Sequence, residues 1–119
     1  MIVIAGKNNI AVHALNYLAS CNEINNIAVV CNKTDKGVDT WQMSLRRKAL
    51  DLGIIELSLS DAEKLADVFI SLEFDQIIKT NNFKTQKIFN IHFSLLPKYR
   101  GMHTSMWPIL NNEDKTGVT

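Results

Sequence analysis

The sequence predicts an α/β protein: a Rossmann-like open sheet, mostly parallel, with helices on both faces. Three observations lead there. Apolar runs rich in Ile and Val alternate with stretches of helical periodicity along the chain, the pattern of a parallel sheet crossed by helices. The first such run, residues 2–5, leads through the short loop Gly6-Lys7-Asn8-Asn9 into a helical stretch. The 119 residues hold no repeat, low-complexity tract or linker, so they make one domain's worth of chain, able to bury roughly two-thirds of its unfolded surface.

Taken in order, residues 2–5 read as a buried first strand and Gly6-Lys7-Asn8-Asn9 as the loop after it. Residues 10–21 form a first helix, with Ala11, Leu15, Leu18 and Ala19 on one stripe. Asn25-Asn26 precede a second strand at 27–31. Trp41, Leu45, Ala49 and Leu50 mark a second helix that Gly53 stops, and a strand follows at 54–57. Ser60-Asp61-Ala62-Glu63 has the form of a capping box and opens a short helix. Strands are expected at 68–72 and 87–93, with 76–79 a strand or a hairpin arm. Residues 104–110 begin a further helix, 111–115 form a polar turn, and 116–119 start another strand.

Composition narrows the partners. The formal charge is +1, and the basic run that stands out, Arg46-Arg47-Lys48, reads as a solvated helix face. Nucleic acid is therefore not an expected partner. Cys21 and Cys31 are too few, and too plainly set among apolar neighbours, to suggest a metal site or a disulfide framework. The N-terminal run Met1-Ile2-Val3-Ile4-Ala5-Gly6 lacks a positive n-region and is too short to span a membrane. A reduced, soluble, cytoplasmic protein with no membrane partner is expected.

One run concentrates the chemistry: Asn90-Ile91-His92-Phe93-Ser94-Leu95-Leu96-Pro97-Lys98-Tyr99-Arg100-Gly101. Side chains alternate along a strand, so Asn90 and His92 project to one face, Ile91 and Phe93 to the other. An imidazole can move a proton near neutral pH, and a carboxamide N–H can donate to a developing oxyanion. Placed where a strand ends, the pair suits acyl transfer, because open α/β sheets put their chemistry at that edge. Taken alone, an Asn and a His two apart are more often ordinary hydrogen-bonded residues. The full pattern Asn-x-His-x-Ser-Leu-Leu-Pro-x-Tyr-Arg-Gly shifts that balance, because it resembles the signature of the 10-formyltetrahydrofolate-dependent formyltransferases.

The resemblance implies transfer of a formyl group from the nitrogen of 10-formyltetrahydrofolate to a primary amine, with no metal. The amine attacks as the free base and gives a tetrahedral intermediate. Asn90 would donate to its negative oxygen, an effect of roughly 3–4 kcal/mol in comparable sites. His92 would move the proton from the attacking amine towards the departing nitrogen. In this family a hairpin just before the signature strand packs against the pterin ring, which places the folate site at Leu72, Glu73, Phe74, Asp75, Gln76, Ile77 and Ile78. Without the resemblance, that segment reads as a core strand with Glu73 and Asp75 exposed. The family's first loop helps hold a phosphate-bearing amine substrate, which implies contacts from Lys7, Asn8 and Asn9. From the residues alone, Asn8 or Asn9 could equally be a simple N-cap. The loop lacks the three-glycine dinucleotide fingerprint, which argues against a nicotinamide or flavin. His103 lies near enough in sequence to be a further substrate-side candidate, although a His after a glycine turn is more often structural.

The family also carries an Asp on a loop beyond the strand that follows the signature. No residue here matches it, and Asp114 reads as a turn residue. Residues 1–119 are thus expected to be the N-terminal part of a formyltransferase catalytic domain, with a homodimer among the expectations for the full-length form. The runs Gly6-Lys7-Asn8-Asn9-Ile10-Ala11-Val12, Ser71-Leu72-Glu73-Phe74-Asp75 and Met102-His103-Thr104-Ser105 look most like the sugar N-formyltransferases. Those enzymes act on nucleotide-linked amino sugars such as dTDP-4-amino-4,6-dideoxyglucose, destined for bacterial surface polysaccharide such as the O-antigen of lipopolysaccharide. Enzymes for methionyl-tRNA usually follow the Arg-Gly with Ala-Ala-Pro, which this sequence does not. The enzyme for glycinamide ribonucleotide shares the Gly-x-His-Thr continuation and is the runner-up. A non-catalytic folate- or nucleotide-binding module is the alternative from another class; a receiver-like domain is disfavoured because the first strand ends without a carboxylate. Elsewhere, His13 is expected on the surface, Arg100 bonded to the loop carbonyls around Asn90 and His92, and Trp41 and Trp107 in the core.

Overall fold

The computed structural model describes residues 1–93, 96–98, 100 and 106–119. Five strands, β1 (Ile2–Gly6), β2 (Ile27–Cys31), β3 (Ile55–Glu56), β4 (Val68–Leu72) and β5 (Ile88–Ile91), form one sheet in the order β3-β2-β1-β4-β5. All four pairings between them are parallel. The helices are α1 (Asn8–Cys21), α2 (Leu45–Leu52), α3 (Leu59–Leu65) and α4 (Met106–Leu110).

Strand alternation sorts the core into two layers. Ile4, Ile27, Val29, Cys31 and Leu72 pack with Ala11, Val12 and Leu15 of α1 and with Leu45 and Ala49 of α2. Val3, Ala5, Ala28, Val30 and Phe69 pack with Ala62 of α3, Ala66 and Phe83. The sheet thus carries helices on both faces, as predicted. β2 is buried along its whole length, which is why central parallel strands read as unbroken apolar runs.

Several local expectations are corrected. α1 begins at Asn8, and its N-cap is Lys7 without a side-chain cap bond. Asn8 and Asn9 therefore lie inside the first turn, and their side chains reach other loops instead of capping. α2 is capped by the Ser44 hydroxyl accepting from the Arg47 N–H and ends on Gly53 at φ 70, the left-handed stop that glycine favours. Trp41 precedes that helix and is 87% exposed, and Leu50 is 70% exposed, so the buried stripe reduces to Leu45 and Ala49. Trp107, also expected in the core, is 47% exposed. The cap of α3 is Ser58, whose hydroxyl accepts from the Asp61 N–H; the same Ser-x-x-acid spacing fits two residues upstream of the box read from the sequence. Residues 76–79 form neither strand nor hairpin arm and run irregularly into a 3-10 turn, Thr80–Asn82. Because β4 and β5 are parallel neighbours, this segment is part of the crossover that joins them and not one arm of a hairpin between them.

β5 ends one residue before His92. There the His92 N–H and C=O exchange hydrogen bonds with the C=O and N–H of Thr119, both at 2.6 Å. Such reciprocal exchange is the mark of an antiparallel pair, although residues 116–119, expected to start a strand, form none. The path β1 to β2 to β3 steps outward on one side of β1, and α3 carries the chain back to β4 on the other. The C-terminal ends of β1 and β4 therefore flank the topological switch point, where open α/β sheets bind ligands. Gly6 closes β1 there with φ +149, and a Cβ on it would come 1.8 Å from the Leu72 carbonyl oxygen.

Candidate active site

The register of β4 and β5 sets Ser71 beside Asn90. Both point to the α3 side of the sheet, as Phe69 and Ile88 do one alternation earlier. Ser71 is 5% exposed, and its hydroxyl donates to Asn90 Oδ1 at 2.7 Å. That leaves the Asn90 Nδ2 protons turned away from Ser71. His92 follows the last residue of β5, half-buried and held through its main chain by Thr119. The Asn90 carboxamide thus lies on the α3-side face at the carboxyl end of β5, and His92 follows directly after that strand.

The segment 72–78, expected on the folate side, divides. Leu72 is core at 2% exposure, while Phe74 and Ile78 pack against the α3-side layer. The Phe74 ring meets Phe69 edge-on at 6.4 Å between centroids. Glu73 and Asp75 are exposed, Gln76 is half-buried, and Ile77 is 91% exposed. Residues 73–78 therefore form a loop rooted on the same face of the sheet as Asn90.

The first loop reaches across the switch point. Lys7 N–H donates to the Leu72 carbonyl at 3.3 Å, and Asn8 Nδ2 donates to Glu73 Oε2 at 2.7 Å. Asn8 and Glu73 both adopt positive φ, 66 and 55, a strained conformation for a non-glycine residue that tends to mark functional loops. Asn9 works structurally: its N–H donates to Gln42 Oε1 at 2.9 Å and its Oδ1 accepts from Met43 N–H at 2.8 Å. Lys7 and Asn8 line a cavity of about 390 Å³ with Thr34, Lys36, Trp41 and Gln42.

Two residues missed at the level of sequence hold these loops. Asn32, wholly buried, donates from Nδ2 to the Glu73 carbonyl at 2.8 Å and accepts at Oδ1 from Asp75 N–H at 3.4 Å. Its own N–H bonds the Gly6 carbonyl at 3.3 Å, so one side chain and its backbone join the loops after β1, β2 and β4. Asp35 accepts from the Ser44 hydroxyl at 2.5 Å and from the N–H groups of Gly37 and Arg46 at 2.9 and 3.1 Å. Burial pushes its carboxyl up, but those hydrogen bonds and the Arg46 charge outweigh burial and hold it below the ordinary carboxylate value. The available signal was a polar residue in or directly after an apolar strand: Ser71 in Val-Phe-Ile-Ser-Leu, Asn32 after Ile-Ala-Val-Val-Cys. Burial first, then Glu56 and Asp35, push the Cys31 thiol up to about 12, which removes it as a nucleophile. His103, together with Ser94, Leu95, Tyr99 and Gly101 of the signature, lies outside the described residues; Arg100 is exposed.

Fold and site define an α/β domain that gathers a donor amide, an imidazole and two loops at the carboxyl edge around a switch point, equipment suited to acyl transfer. The chain belongs to the formyl transferase family, whose model matches residues 1–119. WlaRD, a sugar 3N-formyl transferase solved in the presence of dTDP and 5-N-formyl-THF, is 54% identical with a TM-score of 0.95, over 99% of this chain and 44% of that one. The N-formyltransferase from Helicobacter canadensis, in complex with folinic acid and dTDP-3-aminofucose, is 51% identical with a TM-score of 0.95, over 99% of this chain and 45% of that one. The methionyl-tRNA formyltransferase of Finegoldia magna is 32% identical over 134 residues, covering 99% of this chain and 43% of that enzyme. The chain spans less than half the length of each of these three relatives.

Proposed function

We propose that this chain is the N-terminal catalytic part of an enzyme that moves the formyl group of 10-formyltetrahydrofolate to the primary amine of a dTDP-linked amino sugar. The observation that carries this reading is the similarity, at 51% and 54% identity over 99% of the chain, to two sugar N-formyltransferases. Asn90 Nδ2–H donates to the formyl oxygen as it gains charge under attack by the amine, a contribution of roughly 3–4 kcal/mol. His92 takes the proton of the attacking nitrogen and returns it to the departing one. The loop 73–78 supplies the folate side: Phe74 and Ile78 root it, and Glu73, Asp75 and Ile77 face outward, an apolar and polar mixture suited to a flat ring with hydrogen-bonding edges.

The cavity beside Lys7 and Asn8 takes the nucleotide. Lys7 and Lys36 supply positive charge for a diphosphate, and the exposed Trp41 ring offers an apolar face for a base. Because one of these relatives is a sugar 3N-formyl transferase and the other was solved with dTDP-3-aminofucose, a 3-amino sugar is favoured as acceptor over dTDP-4-amino-4,6-dideoxyglucose. Donor and acceptor are charged and water-soluble, which supports a cytoplasmic step that precedes assembly of a surface glycan.

A mass-spectrometric transfer assay tests this. It takes the longest reading frame containing this chain, 10-formyltetrahydrofolate, and, in turn, dTDP-3-aminofucose, dTDP-4-amino-4,6-dideoxyglucose, glycinamide ribonucleotide and methionyl-tRNA. A formylated 3-amino sugar is expected. Formylation of the ribonucleotide or the tRNA alone would replace the acceptor class. Folate binding without transfer to any amine would leave a binding module.

A further inference from the structure

We infer that Ser71 is a positioning residue for the transfer: its hydroxyl selects the orientation of the Asn90 carboxamide that presents Nδ2–H, and not Oδ1, to the developing negative charge. The inference rests on the role proposed for Asn90. A carboxamide is nearly symmetric in shape but not in charge, and a half-turn about Cβ–Cγ exchanges a donor for an acceptor. Asn90 is exposed, so water tolerates either orientation. The buried neighbour does not. Ser71 Oγ lies 2.7 Å from Asn90 Oδ1, the usual length of an O–H···O bond. Its other acceptor, the Phe89 carbonyl oxygen, is 3.5 Å away, at the limit of a hydrogen bond. Turning the amide over would set the Nδ2 protons against Oγ and leave the hydroxyl proton with that distant carbonyl. A buried hydroxyl so deprived is costly, and Ser71 is 5% exposed. The parallel register Ser71↔Asn90 fixes the pair side by side, so the selection is built into the sheet.

The experiment compares Ser71→Ala, Ser71→Thr, Asn90→Ala and the double variant Ser71→Ala/Asn90→Ala in the longest reading frame that contains this chain. Ser71→Ala is expected to lower kcat about tenfold while KM for folate and amine stays within about twofold. Its pH profile should match that of the parent, since His92 is untouched. Ser71→Thr keeps the hydroxyl and should recover most of the rate. The double variant should be no slower than Asn90→Ala, because Ser71 acts through Asn90. If Ser71→Ala folds poorly, Ser71→Cys, of similar shape but with a weak donor, should show the same loss of kcat. A parent-like kcat in Ser71→Ala or Ser71→Cys, or losses that multiply in the double variant, would overturn the inference. A parent protein that transfers no formyl group would instead overturn the functional reading beneath it.

Discussion

A carboxamide that stabilises an oxyanion has to donate, and Asn90→Asp tests this with almost no change in shape. The new carboxylate can still accept from Ser71, so folding should hold, yet it offers negative charge where positive is needed. The expected loss is 10²- to 10³-fold in kcat, the range for removing one donor from an oxyanion site, with the thermal midpoint within a few degrees of the parent. A rate within about fivefold of the parent would take Asn90 out of the chemistry. The two cysteines make a second residue-scale contrast. Cys21 is exposed and Cys31 buried, and the Cys31 thiol is pushed up to about 12 by burial, then by Glu56 and Asp35. Since the thiolate is the reactive form, iodoacetamide at pH 8 should label Cys21 and spare Cys31 until denaturant is added. Equal labelling in the folded protein, read by peptide mass spectrometry, would refute the burial argument.

The loop between β2 and α2 lines the cavity proposed to take the nucleotide, and Asp35 is its hub. Because its carboxyl titrates below the ordinary value of 3.8 in the folded protein, it binds protons more weakly there than in the unfolded chain. Its stabilisation is then present above about pH 3.8 and is lost as pH falls through the lower, folded value. Asp35→Asn cannot accept from Ser44, Gly37 and Arg46 as a charged group does, and should cost about 1–3 kcal/mol at pH 7. It should also flatten the fall in stability below pH 3.8 that the parent shows. Urea midpoints at pH 7 and pH 3 for both proteins settle it: the same drop in each would mean that Asp35 does not titrate with folding. This loop is also where the sequence was hardest to read. β1 and β2 are unbroken apolar runs and β4 is broken only by Ser71, because both faces of a central parallel strand are largely buried. Trp41 matches the helical stripe by spacing alone, whereas Ser44 and Asp35 start the helix after it. Contacts that bond one polar side chain to distant backbone leave no period.

At the scale of the whole molecule, legibility follows sequence distance. Asn90 and His92 could be read because they are two apart in one motif. Ser71 reaches Asn90 across 19 residues and Asn32 reaches Glu73 across 41, and both links exist only once strand order and register are fixed. Gly6 is the point where that order is most exposed to test, since it ends the middle strand and pairs with both Cys31 and Leu72. A Cβ there would meet the Leu72 carbonyl oxygen at 1.8 Å, so β1 and β4 must part or Gly6 must abandon its pairing. Either movement breaks the Lys7 bond to Leu72 and shifts Asn8 against Glu73, the two links that join the loops proposed to hold amine and folate. Gly6→Ala is therefore expected to cost ~3 kcal/mol or more, roughly 10 °C in thermal midpoint, and to abolish transfer although Asn90 lies two strands away. Gly53→Ala is the control: φ is +70 there too, but nothing lies within 4 Å of the added Cβ. Only the left-handed backbone penalty of about 1–2 kcal/mol remains, and activity should persist. Calorimetry and transfer rates for both variants read the comparison, and equal losses would mean that the close approach of β1 and β4 is not what holds the edge together.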